Sequence, residues 1–440
     1  MPDLQLYNLT NSQKVIGYAS ALYPHGAVNN IGGSLLIEDD LDFALLEKTL
    51  HLCIDRNDSL RLRFVNSASG ASIIEQYFML NSVQQYVTDE PHGEIGFIDF
   101  TGKTREEMNA VFLEMNRKPI DIFNNPMYEF TMIKAPDGRC GIFSKIDHMA
   151  TDAWMTMMLC KEVIDVYYAL KNGKELPPPA NSYIKYIESE ARYLESEKFK
   201  KDEEFWLELY REKFTPTDLA TEYTSVTGAT SRKTCTIDKE TTAAIRSFCE
   251  KYGISPASLF NTALGILLCR TTGLTEAFFG STCILRSTKE EKQTCGPLVN
   301  NMTMRLKFDE NMPFDEACVQ SATKQLRMLM HMRYPQLHLM MNVFMMHETQ
   351  HIFDTIIGYQ IARIRPRENV KFQTEWYTSG SFAIPLYISI TDLDDAGEYL
   401  IYYEFQTECH TSERIEEIHR ELTDIVTKGI TEPGTKLKAL

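Results

Sequence analysis

The chain has 440 residues, 43% of them hydrophobic and 24% charged, an ordinary globular composition with enough apolar material for two substantial cores. Its formal net charge of −16 repels phosphate backbones and anionic lipid, and no run of Lys or Arg breaks that pattern, so neither nucleic acid nor a membrane surface is an expected partner. The first residues, Met1-Pro2-Asp3-Leu4-Gln5, carry neither a basic nor an apolar leader and no stretch approaches the length of a spanning helix, so a cytoplasmic location is the expectation.

Taken in chain order, residues 41–55 read as an amphipathic helix, with Leu41, Ala44, Leu45, Thr49 and Leu52 at helical spacing, leading into a strand at 60–65. Strands at 128–134 and 140–146 flank Ala135-Pro136-Asp137-Gly138-Arg139, whose Pro-Asp-Gly is a turn sequence, so the two form a hairpin. A polar loop at 147–152 follows, and then Met155, Met158, Leu159, Val163, Ile164 and Tyr167 mark a helix that ends near Gly173. Beyond it Pro177, Pro178 and Pro179 hold the chain extended, and the domain boundary is placed there, giving residues 1–176 and 177–440.

The second half repeats the alternation. Residues 183–212 read as helical, as do 241–252 and 255–270; 277–282 and 302–308 read as strands, 387–391 with 399–405 as a hairpin, and 412–429 as a closing helix. Both halves are therefore mixed α/β. The ten cysteines are scattered, with no Cys-x-x-Cys pair and no zinc-ligand spacing, which suits reduced core thiols.

The strand, polar loop and helix around Asp147-His148-Met149-Ala150-Thr151-Asp152 present side chains at an element end, a common setting for catalysis. A His-x-x-x-Asp spacing alone is weak, since a histidine at a strand end is more often a satisfied structural residue. The context adds weight. Lys118-Pro119-Ile120-Asp121-Ile122-Phe123-Asn124-Asn125-Pro126-Met127-Tyr128, the hairpin, and then Asp147 to Trp154 together resemble the nonribosomal peptide synthetase condensation domain, in which two histidines, three variable residues, Asp and Gly follow such a hairpin. Leu9-Thr10-Asn11-Ser12-Gln13 is similar to that family's opening motif, and Arg56-Asn57-Asp58-Ser59-Leu60-Arg61 to its Arg-His-x-x-Leu-Arg block. Arg286 with Gly296-Pro297-Leu298-Val299-Asn300-Asn301, and Tyr403-Glu404-Phe405, also fall in family order, so the resemblance covers nearly the whole chain.

The resemblance implies two chloramphenicol acetyltransferase-like lobes in a V-shaped pseudo-dimer with a central tunnel. It implies an acyltransferase of secondary metabolism with no permanently bound cofactor and no metal. The co-substrate would be a phosphopantetheine thioester, on an acyl or peptidyl carrier protein in trans or on coenzyme A, and the acceptor an amine or hydroxyl. His148 matches the second histidine and is the catalytic candidate; Asp152 and Arg286 would pair and hold the loop in shape. Asp147 stands where the family has its first histidine and Ala153 where it has glycine, and a methyl group there could narrow a tunnel or forbid a positive φ.

Attack on a thioester requires a proton removed from the nucleophile and an oxyanion stabilised, and a neutral imidazole can serve both needs. Two other classes fit parts of the sequence. Asp147 and Ala153 suit a non-catalytic condensation-like platform that recruits a carrier protein or partner enzyme. His347-Glu348-Thr349-Gln350-His351 matches the H-E-x-x-H pattern of zinc hydrolases by letter, a chemistry that needs both histidines on one helical face and a third ligand. By its place in the family, the preceding 342–346 reads as a strand, and no third ligand follows at a helical offset.

Overall fold

Two units divide the chain in the computed structural model, which describes residues 5–65, 82–90, 92–220, 225–349, 351–392 and 397–440. The first comprises Met1–Glu195, Arg286–Leu298 and Ala362–Ala383; the second comprises Ser196–Leu285, Val299–Ile361 and Ile384–Leu440.

The first unit contains β1 (Tyr7–Asn8), α1 (Asn11–Leu22), β2 (Asn30–Ile37), α2 (Phe43–Arg56), β3 (Leu62–Val65), β4 (Gln84–Val87), β5 (Gly96–Asp99), α3 (Arg105–Asn116), β6 (Tyr128–Lys134), β7 (Cys140–Asp147), α4 (Ala153–Lys171), α5 (Tyr183–Leu194) and, from far along the chain, β12 (Phe372–Tyr377). Its larger sheet has the order β12-β2-β7-β6-β5, antiparallel except between β5 and β6, and a smaller one runs β1-β4-β3. Under the larger sheet, Phe112 of α3 stacks on Phe143 of β7 with centroids 4.6 Å apart, and the Tyr377 ring meets Phe112 edge-on at 5.3 Å.

The turn at Pro136-Asp137-Gly138 joins β6 to β7 through bonds from Ala135 N to Arg139 O at 2.8 Å and from Gly138 N to Ala135 O at 3.0 Å. The strand read at 60–65 begins only at Leu62, because residues 58–61 form one 3-10 turn after α2. Helix α4 ends where Gly173 takes a φ of 62°, which lets Lys174 N close on Ala169 O at 2.8 Å. The proline stretch 177–179 lies inside this unit, because the next helix is tied back to it. Tyr183 N donates to Asp58 Oδ1 at 2.8 Å, and Glu190 Oε2 of α5 accepts from Asn11 N at 2.8 Å.

The second unit contains α6 (Glu197–Leu209), β8 (Thr230–Ile237), α7 (Lys239–Tyr252), α8 (Pro256–Thr272), β9 (Glu276–Ile284), β10 (Val299–Lys307), α9 (Phe314–Leu329), α10 (Gln336–His347), β11 (Thr355–Gln360), β13 (Leu386–Thr391), β14 (Tyr399–Gln406) and α11 (Ser412–Thr431). Its sheet has the order β10-β9-β11-β13-β14-β8, with β11 parallel to both neighbours and the remaining pairs antiparallel. Helix α8 is apolar around most of its circumference and lies against β9, α9 and α11, burying Leu259, Phe260, Ala263, Leu264, Leu267 and Leu268. Among the described residues no single helix is long and apolar enough to cross a membrane, and all ten cysteines are free thiols.

One element differs in kind from the sequence reading. Residues 342–346 are helical, within α10. The preceding Gln336, Leu337, Leu339, Met340 and Met341 are strong helix formers, Pro335 sits at the N-cap, and Leu339 and Val343, one turn apart, are both buried. The methionine-rich stretch from Met328 to Met346 is divided in its surroundings: Met328 is buried in the core of this unit, whereas Met330, Met345 and Met346 are exposed.

Between β14 and α11, His410 is 4% exposed and neither ring nitrogen has a hydrogen-bond partner among the described residues; burial pushes its pKa down to about 4. A depressed base stabilises the fold fully above its unfolded pKa and loses that contribution as pH falls toward the folded value. Melting curves should therefore show wild type losing stability between about pH 6.5 and pH 4 more steeply than His410→Leu; parallel acid limbs would contradict this.

Candidate active site

Strand β7 delivers Asp147 opposite Asn30 of β2, and Asp147 N bonds to Met127 O at 2.8 Å. The chain then turns tightly. Ala150 N returns to Asp147 O at 2.9 Å, Thr151 N to His148 O at 3.3 Å, and Asp147 Oδ1 accepts from Met149 N at 2.8 Å, an Asx-type turn. His148 N is fixed to Asn29 O at 2.7 Å. Its ring Nδ1 lies 2.6 Å from Thr151 O, and because a carbonyl can only accept, Nδ1 carries the proton and the lone pair is on Nε2. The side chain is half-buried.

Asp152 closes the loop and caps α4, accepting from Met155 N at 2.7 Å. Its carboxylate also accepts from Arg286 Nη2 at 2.9 and 3.2 Å and from Leu298 N at 2.8 Å. Arg286 Nη1 donates to the carbonyls of Glu291 and Thr294 at 2.8 and 2.6 Å and Nη2 to that of Gly296 at 2.7 Å, and both side chains are almost fully buried. Gly296 has φ 97°, and a Cβ there would lie 2.3 Å from the Tyr183 ring, so the close approach requires glycine.

The two departures from the family pattern have distinct consequences. Ala153 is the first residue of α4; among the described residues the non-glycine positions with positive φ are Asn124 and Glu348, so its methyl meets no backbone obstacle. Asp147 is 5% exposed, and burial raises its carboxyl to about 7 against the opposing effect of the Met149 N–H. Trp154 is half-buried, with Nε1 donating to Lys292 O at 3.1 Å.

The H-E-x-x-H letters do not converge. Helix α10 ends at His347 and Glu348 turns left-handed at φ 56°, so His351 leaves the helical face that the zinc pattern needs; Gln350 lies outside the described residues. His347 Nε2 donates to Tyr210 O at 2.6 Å and His351 Nε2 meets Asp218 Oδ1 at 2.6 Å. Among the described residues no three His, Cys, Asp or Glu side chains are grouped to hold a metal ion.

The family profile described as the condensation domain matches residues 4–440. The chain belongs to the condensation-domain family. In nonribosomal peptide synthetases these domains are acyltransferases that form amide bonds. This condensation domain is 25% identical to one of the plipastatin synthase polypeptides of Bacillus subtilis (strain 168) over 441 residues, covering 99% of the chain and 17% of that relative. It is 25% identical to surfactin synthase subunit 1 of the same organism over 444 residues, covering 98% of the chain but only 12% of that relative. In fold it is similar to a doubly substituted starter condensation domain of rhizomide synthetase RzmA in complex with C8-CoA, with TM-score 0.84, 21% identity, and coverage of 99% of this chain and 97% of that one. The first condensation domain of the calcium-dependent antibiotic synthetase, in complex with a substrate analogue, gives TM-score 0.84 at 17% identity, with 99% of each chain covered.

Sequence reasoning placed Asp147, His148, Asp152, Ala153 and Arg286 around one site, and the fold brings all five into the first unit. It missed the backbone partners of His148, contributed by Asn29 and Thr151, which no local pattern announces.

Asp152→Ala leaves the Arg286 guanidinium buried without its anion and removes a helix cap, so chemical denaturation should show a loss of about 3–5 kcal/mol, or no folded protein. For Asp147 the sign is opposite to that of His410. A raised acid contributes its stability fully below its unfolded pKa and loses it as pH climbs through the folded value. Relative to wild type, Asp147→Asn should therefore gain melting temperature as pH rises from about 4 to about 7 and hold a constant advantage above; a gain that does not vary with pH would mean that the carboxyl does not titrate there.

Proposed function

We propose that this condensation domain joins a thioester-bound acyl or aminoacyl donor to an amine or hydroxyl acceptor, with His148 as base and positioning residue. The observation that carries the reading is the bond from His148 Nδ1 to Thr151 O, which leaves the Nε2 lone pair to accept a proton. The acceptor nitrogen or oxygen attacks the thioester carbonyl carbon, and its proton passes to His148 Nε2. The new C–N or C–O bond forms, the C–S bond breaks, and sulfur leaves as a thiol by taking that proton back from His148 Nε2, which restores the neutral imidazole. For an amine acceptor, already a good nucleophile when neutral, orientation is the larger share of the role.

A phosphopantetheine thioester is the proposed donor, supplied by a carrier protein or by coenzyme A. The C8-CoA bound to the similar RzmA domain supports that class. Asp152 and Arg286 are assigned a structural role, since the carboxylate oxygens and the two Nη atoms are directed at each other and at backbone groups.

A mass-spectrometric transfer assay tests the proposal, with a panel of acyl-pantetheine and acyl-CoA donors, C8-CoA among them, against amines, alcohols and leucine N-acetylcysteamine thioester. Wild type should form product, and His148→Ala should lose roughly 10²-fold or more while its melting temperature stays nearly unchanged. Equal activity in the two proteins would remove His148 from the mechanism. A folded protein that makes no product from any donor but captures a carrier protein would favour the non-catalytic platform, to which Asp147 at the first histidine's place lends support.

A further inference from the structure

Gln13, on the first turn of α1, lies far in sequence from the His148 loop but reaches it. With Thr10 it completes a capping box: Gln13 Oε1 accepts from Thr10 N at 2.9 Å, and Thr10 Oγ1 accepts from Gln13 N at 3.2 Å. Its amide also pairs with that of Gln85 on β4, each Nε2 donating to the other's Oε1 at 2.8 Å. Gln13 Nε2 then donates to the carbonyl of Met149 at 3.1 Å, and Gln85 Nε2 to the carbonyl of Asn8 at 2.9 Å. Backbone groups fix both amide orientations, because Thr10 N can only donate and the Met149 and Asn8 carbonyls can only accept. Gln13 and Gln85 are each fully buried.

Capping alone does not require this arrangement. A Thr-x-x-Gln box is satisfied within its own helix turn, whereas here the nitrogen that the cap leaves over is aimed across the unit at the residue following His148. Met149 is thus held at both ends, its N–H by the Asp147 carboxyl at 2.8 Å and its C=O by Gln13. The neighbouring His148 is held by Asn29 O and Thr151 O.

We propose that Gln13 is a positioning residue that fixes the His148 loop through the Met149 carbonyl, with Gln85 as the brace that orients its amide. The inference rests on the reading of His148 as the reacting residue. Gln13 touches no reacting atom; its contribution is to keep Nε2 of His148 where a donor and acceptor meet, a task in which a displacement of about 1 Å can cost roughly 10²-fold in rate.

Two variants and two readouts test it. Gln13→Met keeps the length and removes every polar contact of the side chain. Gln13→Glu keeps the acceptor oxygen and can donate to Met149 only when protonated, so its function should recover as pH falls. Hydrogen exchange should show residues 147–152 opening at least about tenfold faster in Gln13→Met, with the body of α4 unchanged. In transfer from C8-CoA to leucine N-acetylcysteamine thioester, kcat should fall roughly 10- to 100-fold with KM within about threefold, and the kcat of Gln13→Glu relative to wild type should rise between about pH 8 and pH 6. Wild-type exchange across 147–152 in Gln13→Met overturns the proposal without any substrate. So does an unchanged kcat in a background where His148→Ala is inactive. Full transfer by His148→Ala instead defeats the reading of the site, whatever Gln13 does. If Gln13→Met does not fold, Gln13→Glu carries both readouts, and a pH-independent loss in it counts against positioning.

Discussion

The buried pairing of Asp152 with Arg286 is the constraint on which the site depends. Neither charge would survive removal from water alone, and each is compensated more than once: the carboxylate by a guanidinium and two backbone N–H groups, the guanidinium by that carboxylate and three carbonyls. Because the partners lie 134 positions apart, the pair fastens the segment from 286 to 298 onto the start of α4 within one unit. A single carboxylate thereby fixes the end of the loop, the first turn of the helix and the register of the segment that carries Gly296.

Within that frame His148 is held almost wholly by main chain. Asn29 O takes its N–H and Thr151 O takes its Nδ1 proton, so the tautomer is set by groups that cannot ionise. Such an arrangement leaves Nε2 as the ring nitrogen that Thr151 does not engage. Asp147 adds a buried carboxyl to the same turn, which ties its loss of a proton to the stability of the loop.

Elements with strong local signals are legible in the sequence. The β6–β7 hairpin has its Pro-Asp-Gly turn, α4 its apolar spacing and its glycine stop, and α11 its amphipathic face; the pattern of each lies within a few residues of its observed bounds. Residues 342–346 are different, because their place in the family points to a strand and Asn342, Val343 and Phe344 are weak helix formers; the helix begun by Gln336, Leu337, Leu339, Met340 and Met341 carries on through them. The 3-10 turn before β3 also escapes a sequence reading, since four residues carry too little periodicity to register.

The sequence by itself determined the chemistry on offer: a histidine between a strand and a helix, an aspartate four residues on, and the order of blocks that marks a condensation domain. Tertiary structure decided what those residues touch. It set the His148 tautomer through Thr151, buried Asp147 enough to raise its carboxyl, showed the methyl of Ala153 to be compatible with the backbone, and separated the histidines of the H-E-x-x-H letters by ending α10 between them. The division has a physical cause. Residue type and spacing fix which groups exist and which local turns they favour, whereas hydrogen-bond partners, burial and the resulting proton affinities come from segments that meet only after the chain has folded.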